Sequence, residues 1–369
     1  MKKLLTLFLA LVLIVSVVPA FALELPETML NNEPASDGHP GDPNLPWTGE
    51  LTVATSFPQA RKEQVLGNFE KLYGIKVTTI EEGTAALIAR LDAEKENPSA
   101  DIMIGGMVTS YYQPYSYLYQ EYTPKNDAYY PEAYKVVDGK FPIYSTELYM
   151  TLVNTELMAE GGYTIEDFDS YEKLLNPEFK DQVCLADPSK AASGYEHLVQ
   201  ELVDFGDPAD NYEAGWAYVD KLLDNAVVLS SSGAVPRGVG EGEYLCGIIY
   251  ESTVCNFISD GYPIQIVYPK EGVIVGCNAS GIVKDCKNLR SAQLFMEWIT
   301  SIDFQKLESA APTYTRAILC DMPEDFPGKN MSELEAAGIP IMYGDPEYFI
   351  TNNGDVVKRH NDLLQSKNK

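Results

Sequence analysis

The chain reads as an α/β protein of two lobes, each a mostly parallel sheet flanked by helices, joined at a hinge. Three observations predict this. Strand-like and helix-like stretches alternate through residues 51–104 and again through 182–250. Two extended stretches, 147–155 and 264–283, lie where the chain would cross between those blocks. The length of 369 residues exceeds one ordinary domain and suits two.

Residues 51–55 form a short strand, and a helix follows with Val65, Phe69 and Leu72 on one face, ended by Gly74. Residues 75–80 alternate as a strand does, and 85–96 are helical with Leu87, Ile88 and Leu91 facing inward. Residues 100–104 make a third strand, closed by Gly105-Gly106. Strand and helix alternating in this way imply a parallel sheet. In the second block, strands at 182–186, 226–229 and 244–250 are separated by helices at 195–205, 216–225 and 236–242. A further amphipathic helix at 290–300 carries Leu294, Phe295 and Trp298. The expected division is residues 48–146 with 275–340 as the first lobe, 147–274 as the second, and 341–369 as a C-terminal extension. Residues 23–47, rich in Pro, Asn, Gly and Asp, read as a flexible leader.

The first 22 residues give the compartment. Lys2-Lys3 is followed by an apolar run from 4 to 18, then Pro19 and the small-x-small site Ala20-Phe21-Ala22. That order is a cleaved secretory signal peptide, and the run is short for a membrane anchor. No cysteine follows it to take a lipid, so a periplasmic or extracellular protein is expected. With 54 acidic and 27 basic residues the net charge is −27, which repels nucleic acid and anionic membranes at long range. Six cysteines, Cys184, Cys246, Cys255, Cys277, Cys286 and Cys320, lack the spacing of a zinc or redox site. Buried thiols and a single disulfide both remain open, because an oxidising compartment permits disulfides without requiring them.

Three stretches together resemble a known family. They are 51–56 leading to Gly74-Ile75-Lys76-Val77; Gly83-Thr84 through Asn97-Pro98 to Gly105-Gly106; and Ala186-Asp187-Pro188 with Ala192-Ser193-Gly194, then 230–233 and 242–248. The chain so far resembles the type II periplasmic binding proteins of ABC importers, in the ferric-ion, thiamine and phosphorylated-metabolite group. The resemblance covers about residues 48 to 320. It implies a hinge-bending, non-catalytic, monomeric binding component without cofactor or resident metal. It would deliver a small-molecule ligand to a membrane permease and its ATPase.

The residues themselves point to a cleft. In an open α/β sheet, ligands bind outside the carboxyl ends of the strands. Four small polar segments sit at such places, namely 55–56, 83–84, 193–194 and 231–233. Ser56, Thr84, Ser193, Gly194, Ser231 and Ser232 are therefore candidate ligand residues, together with Gly105 and Gly106. Helix N-termini hold anions without any cationic side chain, although Ser and Thr before helices also serve as plain caps. Tyr144, Tyr149 and Tyr250 could stack on a ring, and Glu251 could pair with an amine. Ferric binders that the chain resembles use adjacent tyrosines near this second-lobe strand end. Here Glu251-Ser252 follow Tyr250, which disfavours iron. A phosphate- or phosphonate-bearing metabolite leads, with thiamine or its phosphates next. Catalysis finds little support: of three histidines, His39 and His360 fall in expected flexible ends and His197 reads as an exposed helix residue. No nucleophile elbow or metalloprotease motif occurs. A ligand sensor for a membrane receptor and, more remotely, a secreted hydrolase remain the alternatives.

Overall fold

The computed structural model describes residues 25–30, 33–343 and 347–367; the expected signal peptide lies outside them. The first block runs β1 (Glu50–Thr55), α1 (Gln59–Tyr73), β2 (Lys76–Glu81), α2 (Thr84–Ala93), β3 (Ile102–Met107) and the short α3 (Val108–Tyr111). The long β4 (Ile143–Asn154) and α4 (Thr155–Glu160) lead into β5 (Val183–Ala186), α5 (Ala192–Phe205) and α6 (Glu213–Asn225). Then come β6 (Ala226–Leu229), α7 (Ala234–Gly240), β7 (Cys246–Tyr250), α8 (Glu251–Ser259), β8 (Ile264–Val267) and the long β9 (Val273–Ile282). The chain closes with α9 (Leu289–Ile299), α10 (Ile302–Ser309), α11 (Met331–Ala336), β10 (Ile341–Tyr343), α12 (Glu347–Thr351) and α13 (Asn353–Ser366).

Each lobe has a parallel three-strand unit. β1 lies between β2 and β3 in the first, and β5 between β6 and β7 in the second. β4 and β9 join them as antiparallel strands. Residues Ile143 to Leu148 of β4 pair with β9, while Tyr149 to Val153 pair with β7. One strand thus leaves the first sheet and enters the second within a single residue step. All twelve residues of β4 are buried, as expected of a strand covered on both faces.

The first lobe packs Phe69 of α1 against Phe295 and Trp298 of α9, at ring distances of 5.0 and 5.4 Å. Truncating such a buried aromatic typically costs about 3–5 kcal/mol. The buried face of α1 is Val65, Leu66, Phe69 and Tyr73; Leu72, expected inside, is 39% exposed. At 100° per residue the stripe passes to one side of it. In the second lobe, Trp216 of α6 packs in one core with Leu198 and Val199 of α5, while Val235, Val239 and Val254 fill the opposite face.

Three further expectations change. The 23–47 leader is held against the first lobe where it is described. The buried Arg290 guanidinium donates to Asp37 (2.6 and 3.0 Å) and to the carbonyls of His39, Pro40 and Leu45. Trp47 stacks on His39 and packs into the first-lobe core. Residues 331–340, expected with the first lobe, instead touch the second: Leu334 is buried beside Val239 and Val254. After α12, whose Phe349 is buried in the same core, the C-terminal helix α13 docks there too, through Val356. It carries His360, which is buried rather than flexible; burial, and then His197 nearby, push its imidazole down to about 4. All six cysteines are free thiols, three of them buried.

Candidate functional site

A cavity of about 490 Å³ opens between the lobes, within the range that holds small metabolites. The first lobe supplies Ser56, Arg61, Thr84, Gly105, Gly106 and Tyr111 to its wall. Opposite them stand Lys190, Ser193, Ser231, Ser232, Gly233 and Tyr250 of the second lobe. The shared strands form the floor with Glu147, Tyr149 and Asn278. Above one end the lobes touch directly, where the Ser110 hydroxyl donates to the buried Glu196.

The serines and threonine are not caps. Helices α1, α2 and α5 begin with Pro58, Gly83 and Ala191 at the cap position, none of which makes a side-chain cap. The neighbouring hydroxyls bond one another instead: Ser56 with Thr84 at 3.1 Å, and Ser193 with Ser232 at 2.7 Å. An uncapped helix start leaves up to four backbone N–H groups and the positive dipole end for another acceptor. Gly105 and Gly106 keep the wall thin. Both have positive φ, +101° and +91°, and a Cβ would stand 2.9 Å from Phe57 and 3.0 Å from Thr84. Only glycine meets both demands here.

The charged floor reads differently. The Arg61 guanidinium lies 4.1 Å over the Phe57 ring and donates through Nε to Glu308 at 3.1 Å. Burial works most strongly against its charge, but Glu308 together with Tyr144 and Glu147 more than offsets this and raises the guanidinium. Glu147 is 3% exposed. Its Oε1 accepts from Ser252 Oγ at 2.8 Å, and its Oε2 has no partner. Burial pushes this carboxyl up to about 7, with Arg61 and Ser252 opposing and Glu251 assisting. Burial likewise raises the Tyr111 and Tyr250 phenols, away from the phenolate that a ferric ion takes.

Of the sequence-predicted residues, Ser56, Thr84, Gly105, Gly106, Ser193, Ser231, Ser232 and Tyr250 lie on the cavity wall. Three do not. Tyr144 is buried in the first-lobe core against Phe304. Gly194 sits beneath the wall, where a Cβ would meet the Asp187 backbone at 2.5 Å. Glu251 begins α8, a helix that sequence reading took for the strand's end. Its carboxylate is buried and saturated by Arg316 Nε at 2.6 Å, Arg316 Nη2 at 2.9 Å and the Tyr268 hydroxyl. Arg237 is exposed and faces Glu241. His197 is buried, bonded to Glu201 and the Ala186 carbonyl at 3.1 Å each, and takes no part in the wall. Sequence reasoning missed Arg61 and Glu147. Among the described residues, no His, Cys, Asp and Glu cluster is placed to hold a metal, and no helix is long and apolar enough to cross a membrane.

Two α/β lobes closing on a polar cleft between shared strands define a protein built to enclose a small solute. The chain belongs to the bacterial extracellular solute-binding proteins, whose family model matches residues 64–315, and it is the solute-binding component of an ABC importer. An uncharacterised protein of Haemophilus influenzae is 27% identical over 265 residues, 70% of this chain and 75% of that protein. A putative 2-aminoethylphosphonate-binding periplasmic protein of Salmonella typhimurium is 27% identical over 176 residues, 47% of this chain and only 48% of that relative. The fold matches AfuA of Actinobacillus pleuropneumoniae, solved with fructose-6-phosphate, at a TM-score of 0.76 and 19% identity over 86% of this chain and 98% of that one. Iron-bound HitA of Pseudomonas aeruginosa gives a TM-score of 0.69 and 16% identity, over 85% and 99%. Such low identities speak to fold alone.

Proposed function

We propose that this cleft captures a small anionic solute bearing a phosphate or phosphonate group and presents it, without catalysis, to a membrane permease. Export by the N-terminal signal and action as a periplasmic or extracellular monomer belong to the same reading. The observation that carries it is the set of uncapped starts of α1, α2 and α5 around one cavity, with the adjacent hydroxyls turned to each other. An anion held by backbone N–H groups needs no cationic side chain. That suits a cavity whose two cations, Arg61 and Lys190, are already paired with Glu308 and Asp187. Fructose-6-phosphate, bound by one similar protein, and 2-aminoethylphosphonate, for which another is named, agree with this chemistry.

A thermal-shift screen of phosphorylated sugars, phosphonates and ferric citrate tests it. Phosphate- or phosphonate-bearing compounds are expected to raise the melting point, by the equivalent of about 2.7 kcal/mol at 100 times Kd. Thr84→Ala or Ser193→Ala is expected to weaken binding about tenfold to a hundredfold. If none of the phosphate- or phosphonate-bearing compounds shifts the melting point, the anion reading is wrong.

A further inference from the structure

Glu147 stands beside the step where β4 changes sheets: it pairs with Gly276 of β9, and two residues on Tyr149 pairs with Tyr250 of β7. Its partnerless Oε2 is buried at the cavity floor. A buried carboxylate oxygen that no protein donor reaches is rare in a folded protein and calls for an explanation. The other charges on the wall do not supply one. Arg61 is held by Glu308, and Lys190 by Asp187 at 2.8 Å. Among the described lining residues, the charged group left with an oxygen lacking any donor is therefore a carboxylate, with the Arg61 charge acting on it only through space. Tyr149 lies two residues further along the strand and so shares the Glu147 face. Across the sheet from it is Tyr250, its ring 6.2 Å away and tilted 69°. A carboxylate beside two phenol rings favours a cation through both ion pairing and the ring faces.

We propose that Glu147 is the counter-ion for an ammonium group on the solute, so that the ligand is a zwitterion with its anionic head at the helix starts and its amine at the floor. This rests on the anion reading above and adds the opposite end of the ligand. A neutral hydroxyl would fill the Oε2 lone pair but leave the buried charge uncompensated; an ammonium does both. Because burial holds the empty site's carboxyl partly protonated near neutrality, a bound cation draws its proton off. Amine binding near pH 7 therefore releases protons.

The test is calorimetric titration of the full chain with three probes: 2-aminoethylphosphonate, 2-hydroxyethylphosphonate and ethylphosphonate. At pH 8 the wild type is expected to prefer the amine over the hydroxyl compound by about tenfold or more. Glu147→Gln is expected to lose that preference. Equal affinity of the wild type for all three overturns the role of Glu147 and leaves the anion cradle standing. Failure of all three to bind overturns the zwitterion assignment, and the phosphorylated sugars of the thermal-shift screen then decide the anion reading by themselves. A preference that survives in Glu147→Gln also overturns the assignment. The wild-type comparison holds whether or not the variant folds.

Discussion

Two buried carboxylates, Glu147 bonded to the Ser252 hydroxyl and Glu251 next to Ser252 in sequence, are treated by the molecule in opposite ways. Glu251 receives two guanidinium bonds from Arg316 and one from the Tyr268 hydroxyl, so both its oxygens are satisfied. Arg316 in turn donates to the Lys329 carbonyl, and its main chain bridges to Thr146 of β4. Glu147 has Ser252 on one oxygen and nothing on the other. The first network ties α8 to the segment after α10 and fixes the hinge region. The second is incomplete, and its open side is the cavity. The difference separates a charge the fold has closed off from one held ready for a partner.

The comparison breaks first at Arg316. Arg316→Met strands the Glu251 charge in a dry interior, an event that typically costs about 3–5 kcal/mol. Urea denaturation should show that loss, and a midpoint within error of the wild type would mean Glu251 is not the structural member of the pair. Next in size is Glu147→Gln. A carboxyl raised from its ordinary 4.5 to about 7 means the native state holds the proton more tightly than the unfolded chain. Stability therefore falls as pH rises from 4.5 to 7, by up to about 3 kcal/mol, and stays low above that. The groups facing this carboxyl are Arg61 from α1 and Glu251 and Ser252 from α8. The variant should lack that pH-dependent loss, so melting curves of the two proteins should converge below pH 4.5 and separate toward pH 8. A constant gap across that range would show that Glu147 does not titrate as described. The smallest effect is expected from Ser252→Ala. Removing the one bond to Glu147 should cost about 1 kcal/mol and move the same titration upward, readable in the same melting series. Glu251, with its own three donors, should be unaffected.

How legible this was depends on whether the signal is local. The helix starts could be read because small polar residues and glycines at strand ends are a local pattern; Ser56, Thr84, Ser193 and Ser232 all reach the wall. What a pattern does not convey is whether such a hydroxyl caps its helix or bonds across the cleft edge, since Ser56 and Thr84 are 28 residues apart. The alternation of strands and helices gave the lobes, and β4 and β9 fall at the expected crossovers. The acidic residues were misassigned because their fate is set by distant partners. Glu251 follows an apolar strand and looks available, but its partner Arg316 is 65 residues away. Glu147 lies within a run of buried strand residues where a charge has no local signature. Tyr144, three positions earlier, sits where β4 shifts register against β9, and its ring packs on Phe304 in the first-lobe core. The leader was misread for the same reason, because its composition suits a loop and the anchor at Arg290 lies about 250 residues on.

That anchor bears on the order in which the molecule is made. Asp37 and Arg290 are separated by 253 residues, and β3 has its neighbour β9 near the chain's last quarter. A chain emerging from its N-terminus leaves the first lobe without its ninth strand and without the Phe295 and Trp298 side of its core. The second lobe draws β4 through β8 from one continuous stretch, so its contacts close shorter loops and are expected to form first. The first lobe then completes around a partner already folded, and the floor carrying Glu147 is assembled only when β9 arrives beside β4. The binding cleft is therefore expected to be completed late, ahead only of the C-terminal segments that dock on the second lobe.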